Sequence, residues 1–219
     1  MKATILTDRQ KQFLQLLANQ KDLASRFYLS GGTALTEYYI PYRYSEDLDF
    51  FSVEPVEPAA ITTFMGSIKK QLKYKSVESN TSFNRNLFFL DFADEKLKTE
   101  FTYFPFPPIE DPTFKDGIRV DSLVDIATNK LFTIYQNPRA RDFTDLYMIC
   151  HQYDLSIGDL VKKARVKFDW QIDPIKLGSQ FLLAKELKDY PHLIKKLDPA
   201  TWQEFFIEEA RKLGPEIVS

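Results

Sequence analysis

Asp47 and Asp49 are the residues whose type and spacing point most directly to chemistry. They stand in Ser45-Glu46-Asp47-Leu48-Asp49-Phe50-Phe51, a stretch with the short, apolar and aromatic character of a strand. Alternate side chains of a strand leave the same face, so both carboxylates would point one way among Leu48, Phe50 and Phe51. Carboxylates crowded in that setting repel each other. A divalent cation is the usual compensation, and Mg²⁺ takes carboxylate oxygens together with substrate phosphates. Upstream, Gly31-Gly32-Thr33 follows the apolar run Phe27–Leu29 and opens a helical pattern that Pro41 stops. Glycine lets the backbone approach a ligand closely, and a helix N-terminus offers N–H groups to phosphate. Gly31, Gly32 and Thr33 are therefore candidate phosphate-holding residues.

The elements that must position these groups are legible in outline. Thr7 and Gln10 have the spacing of a capping box, and Phe13, Leu14 and Leu17 give the following helix an apolar stripe. Glu57-Pro58 opens another helix, with Ile61, Phe64, Ile68 and Leu72 on one face and lysines crowding its end. Strands are expected over Tyr74–Glu78, Arg85–Phe92 and Lys96–Phe104, with turns at Asn80-Thr81-Ser82 and Ala93-Asp94-Glu95. In the last of these, Lys98, Glu100 and Thr102 share one face, opposite Leu97, Thr99, Phe101 and Tyr103. Pro105–Pro108 reads as an extended linker.

From Asp121 onward the pattern is helical. Leu123, Ile126, Ala127, Leu131 and Ile134 form a core stripe with Lys130 at its edge, where a lysine can snorkel to water. Arg139, Asp142 and Asp145 are spaced three apart and stack on one face of the next helix. Further helices are expected from Ser156, from Asp173-Pro174 and over Asp198–Leu213, the last docked through Trp202, Phe205 and Phe206. His151 and His192 lack ligand spacing and read as structural. The division is a sheet-bearing domain over 1–108 and a helical lobe over 109–219.

The 219 residues suffice for a sizeable core, and 29 Lys+Arg against 31 Asp+Glu leaves no global basic charge for a polyanion. Any nucleic acid would have to be met by a local patch. The single cysteine, Cys150, excludes an internal disulfide and a cysteine-built metal site. With no membrane-length apolar run and no signal-peptide pattern, a cytoplasmic protein without membrane association is expected.

The Gly-Gly-Thr turn followed by Asp-x-Asp on the next strand resembles the signature of the DNA polymerase β-like nucleotidyltransferase superfamily. The fuller string, Gly31-Gly32-Thr33-Ala34-Leu35 with Arg43, Ser45 and Asp47-Leu48-Asp49-Phe50-Phe51, is similar to the AbiEii/AbiGii-type toxin nucleotidyltransferases. Leu123-Val124-Asp125-Ile126-Ala127-Thr128-Asn129-Lys130 resembles that family's third motif. The segment Arg139 to Asp145 resembles the fourth, Arg-x-Lys-Asp-x-x-Asp, with Arg141 in place of the lysine, an exchange that keeps charge but not geometry.

The resemblance implies an α/β fold, a nucleotidyltransferase-like mixed sheet with flanking helices followed by an α-helical C-terminal lobe. It implies a third acid on a strand beside the Asp-x-Asp strand: Glu100, with Asp91 as the competitor. Asp47, Asp49 and Glu100 would then hold two Mg²⁺ ions and a nucleoside triphosphate (NTP) would be the substrate. Gly31, Gly32, Thr33, Arg43 and Ser45 would bind the nucleotide, Lys130 would neutralise triphosphate charge, and Asp142 would orient Lys130 or act as base. The acceptor would be RNA, tRNA included, or protein, and a cognate antitoxin is the implied partner. The alternative is a catalytically inactive nucleotide-binding regulatory module, against which the intact Asp-x-Asp speaks.

Overall fold

The computed structural model describes residues 4–55 and 57–214. The chain forms two compact units: one comprises residues up to Tyr39, Ser45–Pro107 and Asp111–Ser122, the other Ile40–Tyr44, Pro108–Glu110 and residues from Leu123 on.

The first unit is built on a seven-stranded mixed sheet. Its strands are β1 (Tyr28–Ser30), β2 (Leu48–Ser52), β3 (Ser76–Ser82), β4 (Arg85–Asp91), β5 (Lys96–Tyr103), β6 (Thr113–Lys115) and β7 (Ile118–Val120), in spatial order β3-β4-β5-β2-β1-β7-β6. The pairs β1–β7 and β2–β5 are parallel and the others antiparallel. The helices of this unit are α1 (Asp8–Ala18), α2 (Lys21–Arg26), α3 (Gly31–Tyr38) and α4 (Pro58–Leu72).

Alternation along β2 and β5 separates two faces. Leu48, Phe50, Leu97, Thr99 and Phe101 are buried on one of them. There Phe50 and Phe101 stack at 4.8 Å, Phe27 and Phe88 meet Phe101 edge-on, and Phe13 of α1 bridges Phe50 and Phe64 of α4. Aromatic pairs of this kind add specific geometry to the large apolar area they bury. The opposite face carries Asp49, Phe51, Lys98, Glu100 and Thr102.

Two expectations about strands are corrected. Asn80, Thr81 and Ser82 do not form a turn; they extend β3, and the reversal falls at Phe83-Asn84, with Phe83 at φ +49°. The sheet also does not end near Pro108. Asp116 and Gly117 both adopt left-handed backbone (φ +51° and +82°) and join β6 to β7, which lies parallel to β1. An Asp-Gly pair is a strong hairpin signal and would have revealed this element.

The second unit contains α5 (Leu123–Gln136), α6 (Ala140–Tyr153), α7 (Ile157–Phe168), α8 (Pro174–Leu182) and α9 (Pro199–Leu213), with a short 3₁₀ turn at Leu183–Lys185. Its apolar centre joins Phe143 to Trp202 and Phe206, and Phe206 to Phe181, so α9 docks through the aromatic residues expected of it. Asp125 is fully buried, paired with Lys167 Nζ at 2.5 Å, and accepts the amides of Ile109 and Glu110. That carboxylate ties the 108–110 segment to α5. No helix among the described residues is long and apolar enough to cross a membrane.

Candidate active site

The site is assembled from the end of β1 outward. Gly31 sits at φ +67°, a conformation glycine adopts without the penalty a side chain would pay. A Cβ there would lie 2.9 Å from Asp49 Oδ2, so the absent side chain also makes room for the carboxylate. Ser30, the N-cap residue, spends its hydroxyl on Asp121 at 2.6 Å, and α3 begins without a side-chain cap. Replacing Gly31 by alanine is expected to cost about 1–3 kcal/mol. The thermal midpoint should drop by several degrees; an unchanged melting curve would show that the turn relaxes without strain.

Residues 45–47 are fixed by two groups. The Gln10 amide donates to the carbonyls of Ser45 and Glu46 at 2.9 and 3.0 Å while its oxygen accepts the Thr7 amide of the capping box. The hydroxyl of fully buried Thr33 donates to the Asp47 carbonyl. Thr33 thus braces the Asp-x-Asp run, and its hydroxyl is engaged in the protein rather than presented to solvent. Ser45 is half-buried and its backbone takes part in the same bracing.

The parallel register of β2 and β5 sets Asp49 directly opposite Glu100, and Asp47 is two residues away on the same face. Glu100 accepts Arg85 through both oxygens (2.6 and 2.7 Å) and Thr102 Oγ1 at 2.7 Å. Burial pushes the Glu100 carboxyl up, and the bonds from Arg85 and Thr102 outweigh it and hold it below its ordinary value. Asp47 accepts Lys98 Nζ at 2.7 Å. Asp91 pairs across β4–β5 with Lys96, which by alternation puts it on the Glu100 face as well. What separates it from Glu100 is distance: Glu100 faces Leu87 on β4, four residues from Asp91, or roughly 13 Å along the strand.

Among the described residues, no three His, Cys, Asp or Glu side chains close around a common point. Asp47 is drawn to Lys98 and Glu100 to Arg85. The donor set nevertheless fits a hard divalent cation: three carboxylates occupy adjacent positions on one face, and oxygen donors are what Mg²⁺ takes.

The remaining candidates lie in the helical unit and form one network. Lys130 Nζ contacts Asp142 and Asp145, each at 2.7 Å. Arg43 meets both oxygens of Asp145 at 2.7 and 2.8 Å, Tyr42 donates to Asp145 at 2.6 Å, and Arg139 reaches Asp142 at 3.0 Å. Arg43, Lys130, Asp142 and Asp145 are all buried. Burial would raise the Asp145 carboxyl, but Arg43 and Lys130 override it and hold it well below the carboxylate range. Asp142 is lowered on the same balance, with Lys130 and Arg139 outweighing burial. For Lys130, burial pulls down and the two aspartates pull harder upward. Arg43 is thus a buried partner of Asp145, inside the helical unit. The sequence pattern identified its members but not the closure of the network, because residues 43, 130, 142 and 145 meet only through the fold.

A mixed sheet with a glycine turn, an Asp-x-Asp strand and a third acid opposite on the neighbouring parallel strand is the nucleotidyltransferase type of α/β fold. Residues 12–211 match the family model described as nucleotidyl transferase AbiEii toxin, type IV toxin–antitoxin system. The chain belongs to this family. Among solved structures it is similar to JHP933 from Helicobacter pylori, with 22% identity, TM-score 0.63, and 95% of this chain and 91% of that one covered. It is also similar to an H. pylori protein put forward as a nucleotidyltransferase, with 21% identity, TM-score 0.63, and 96% and 97% covered. At these identities the likeness is one of fold. No curated protein matches the chain.

Proposed function

We propose that this protein transfers a nucleoside monophosphate from an NTP to a hydroxyl of an RNA acceptor, as the toxin of a type IV toxin–antitoxin pair acting in the cytoplasm. The observation that supports the chemistry is the placement of Asp47, Asp49 and Glu100 at adjacent positions on one sheet face, with Asp49 beside the Gly31 turn. In the reaction the acceptor oxygen bonds to the α-phosphorus, the bond from that phosphorus to the bridging oxygen breaks, and pyrophosphate leaves; the hydroxyl proton is lost to water. Divalent cations held by Asp47, Asp49 and Glu100, two in the full complement, would offset phosphate charge and raise the nucleophilicity of the attacking oxygen.

The chain's own groups do the rest. The Gly31 and Gly32 amides at the start of α3 hold phosphate oxygens, and Thr33 and Gln10 keep Asp47 in register with Asp49. We assign Lys130 to the triphosphate charge. Lys130 Nζ lies between Asp142 and Asp145, and the Asp142 carboxyl is lowered, against burial, by Lys130 and Arg139, so we give Asp142 the orienting role: with Asp145 it fixes the ammonium. Arg43 acts through Asp145 rather than on the nucleotide.

Incubation with each α-labelled NTP, Mg²⁺ and total cellular RNA and protein tests the reading. Label is expected in an RNA fraction with one NTP preferred. Label in protein would overturn the RNA acceptor, and no transfer from any NTP would overturn the transferase assignment. In the same assay Glu100→Gln should lower turnover by roughly 10²-fold or more with little change in melting temperature, and Asp91→Asn should be nearly silent. The reverse pattern would move the third ligand to Asp91.

A further inference from the structure

Arg85 and Lys98 stand on the carboxylate face, and Arg85 differs sharply from its partner in exposure. The Glu100 side chain is 8% exposed, whereas Arg85 is 57% exposed; Lys98 and Asp47 are alike, at 30% and 26%. Glu100 is thus set into the sheet and Arg85 reaches it from the solvent side. Arg85 and Lys98 thus offset the charge of two of the three carboxylates, Glu100 and Asp47. A guanidinium fork fits a carboxylate and a phosphate equally well, two N–H groups to two oxygens. Arg85 sits at the first position of β4, directly after the Phe83-Asn84 reversal, so its side chain can leave Glu100 without disturbing the core.

Resting on the nucleotidyl-transfer reading, we propose that Arg85 is an exchangeable counter-ion. It occupies Glu100 while no divalent cation is bound and transfers its fork to a phosphate oxygen of the incoming NTP when Glu100 becomes a metal ligand. The arrangement keeps metal affinity low in the absence of nucleotide and couples the two binding events. Charge moves from one anion to another within the site, and no bond to carbon, phosphorus or hydrogen changes.

Mn²⁺ binding measured by electron paramagnetic resonance, without and with a non-hydrolysable NTP analogue, tests the proposal. Arg85→Gln should bind Mn²⁺ alone about tenfold more tightly than the wild type, since a competing unit charge is gone, and should bind the Mn²⁺–analogue complex about tenfold more weakly. Arg85→Lys, which keeps charge but not the fork, should leave binding of Mn²⁺ alone near the wild type and weaken the complex. Unchanged or weaker binding of Mn²⁺ alone by Arg85→Gln would overturn the exchange and leave a structural ion pair. Asp49→Asn separates this from the underlying reading. If it loses Mn²⁺ while Arg85→Gln is wild-type, only the exchange fails; if it keeps full Mn²⁺ binding, the metal assignment fails and the exchange with it.

Discussion

Asp49→Ala and Asp47→Ala are expected to lower nucleotidyl transfer by on the order of 10³-fold or more, while the protein stays folded. A metal site stabilises transition-state charge by several kcal/mol, and each 1.36 kcal/mol is a factor of ten. Stability should hold because neither carboxylate fills the apolar core: the stacked rings of Phe50 and Phe101 lie on the other face of the sheet. Removing either acid also relieves repulsion within the group. Asp47→Ala frees Lys98, which is part-exposed and returns to water at little cost. kcat/KM for transfer, read with a thermal denaturation curve on the same preparations, checks both halves. Transfer at the wild-type rate by the double variant would remove these residues from the reaction.

Asp145→Ala should behave in the opposite way, as a loss of stability. Asp145 is fully buried and is the common partner of Arg43, Lys130 and Tyr42. Breaking a buried pair by removing one member leaves uncompensated charge and costs about 3–5 kcal/mol, which for a chain of this size lowers the midpoint by roughly 10 °C or more. The network also sets a pH dependence. The folded-state values of Asp142 and Asp145 lie below their unfolded ones, so their stabilisation is full above the ordinary carboxylate range and drains as pH falls below about 4. Lys130 is raised, so its contribution is full below the ordinary lysine value and drains only as pH climbs past it. Denaturant midpoints from pH 2 to 7 should show a steep acid limb in the wild type and a flatter one in Asp145→Asn; parallel limbs would place the acid sensitivity elsewhere.

How far the sequence carried can be judged residue by residue. The shared face of Asp47 and Asp49 follows from a period of two, and Glu100, implied by the family resemblance, stands in register opposite Asp49. Asp91, the competitor, shares the Glu100 face and differs from it by its distance along β4, which only the register reveals. Gln10 was legible as a capping residue but not as the brace for residues 45 and 46, since its second task depends on where a segment 35 residues away passes. Arg85 and Lys98 were visible only as strand residues; nothing local says which carboxylate a cation will choose. The β6–β7 hairpin was missed although Asp116-Gly117 marked it, because three-residue strands give too short an alternation to register.

The passage of Ile40–Tyr44 out of the sheet unit and into the helical one bears on how the protein is made. Arg43 and Asp145 lie 102 residues apart in sequence. At ribosomal rates of about 5–20 residues per second, the guanidinium emerges roughly 5–20 seconds before its carboxylate exists. During that interval Ile40 and Tyr42, both fully enclosed in the finished protein, have no helical unit to enter. A nascent chain, or a fragment ending near Ser122, therefore carries an unsheltered apolar segment beside a completed Asp-x-Asp strand. Such fragments should be chaperone clients, and the protein becomes fully assembled only after α6 has left the ribosome.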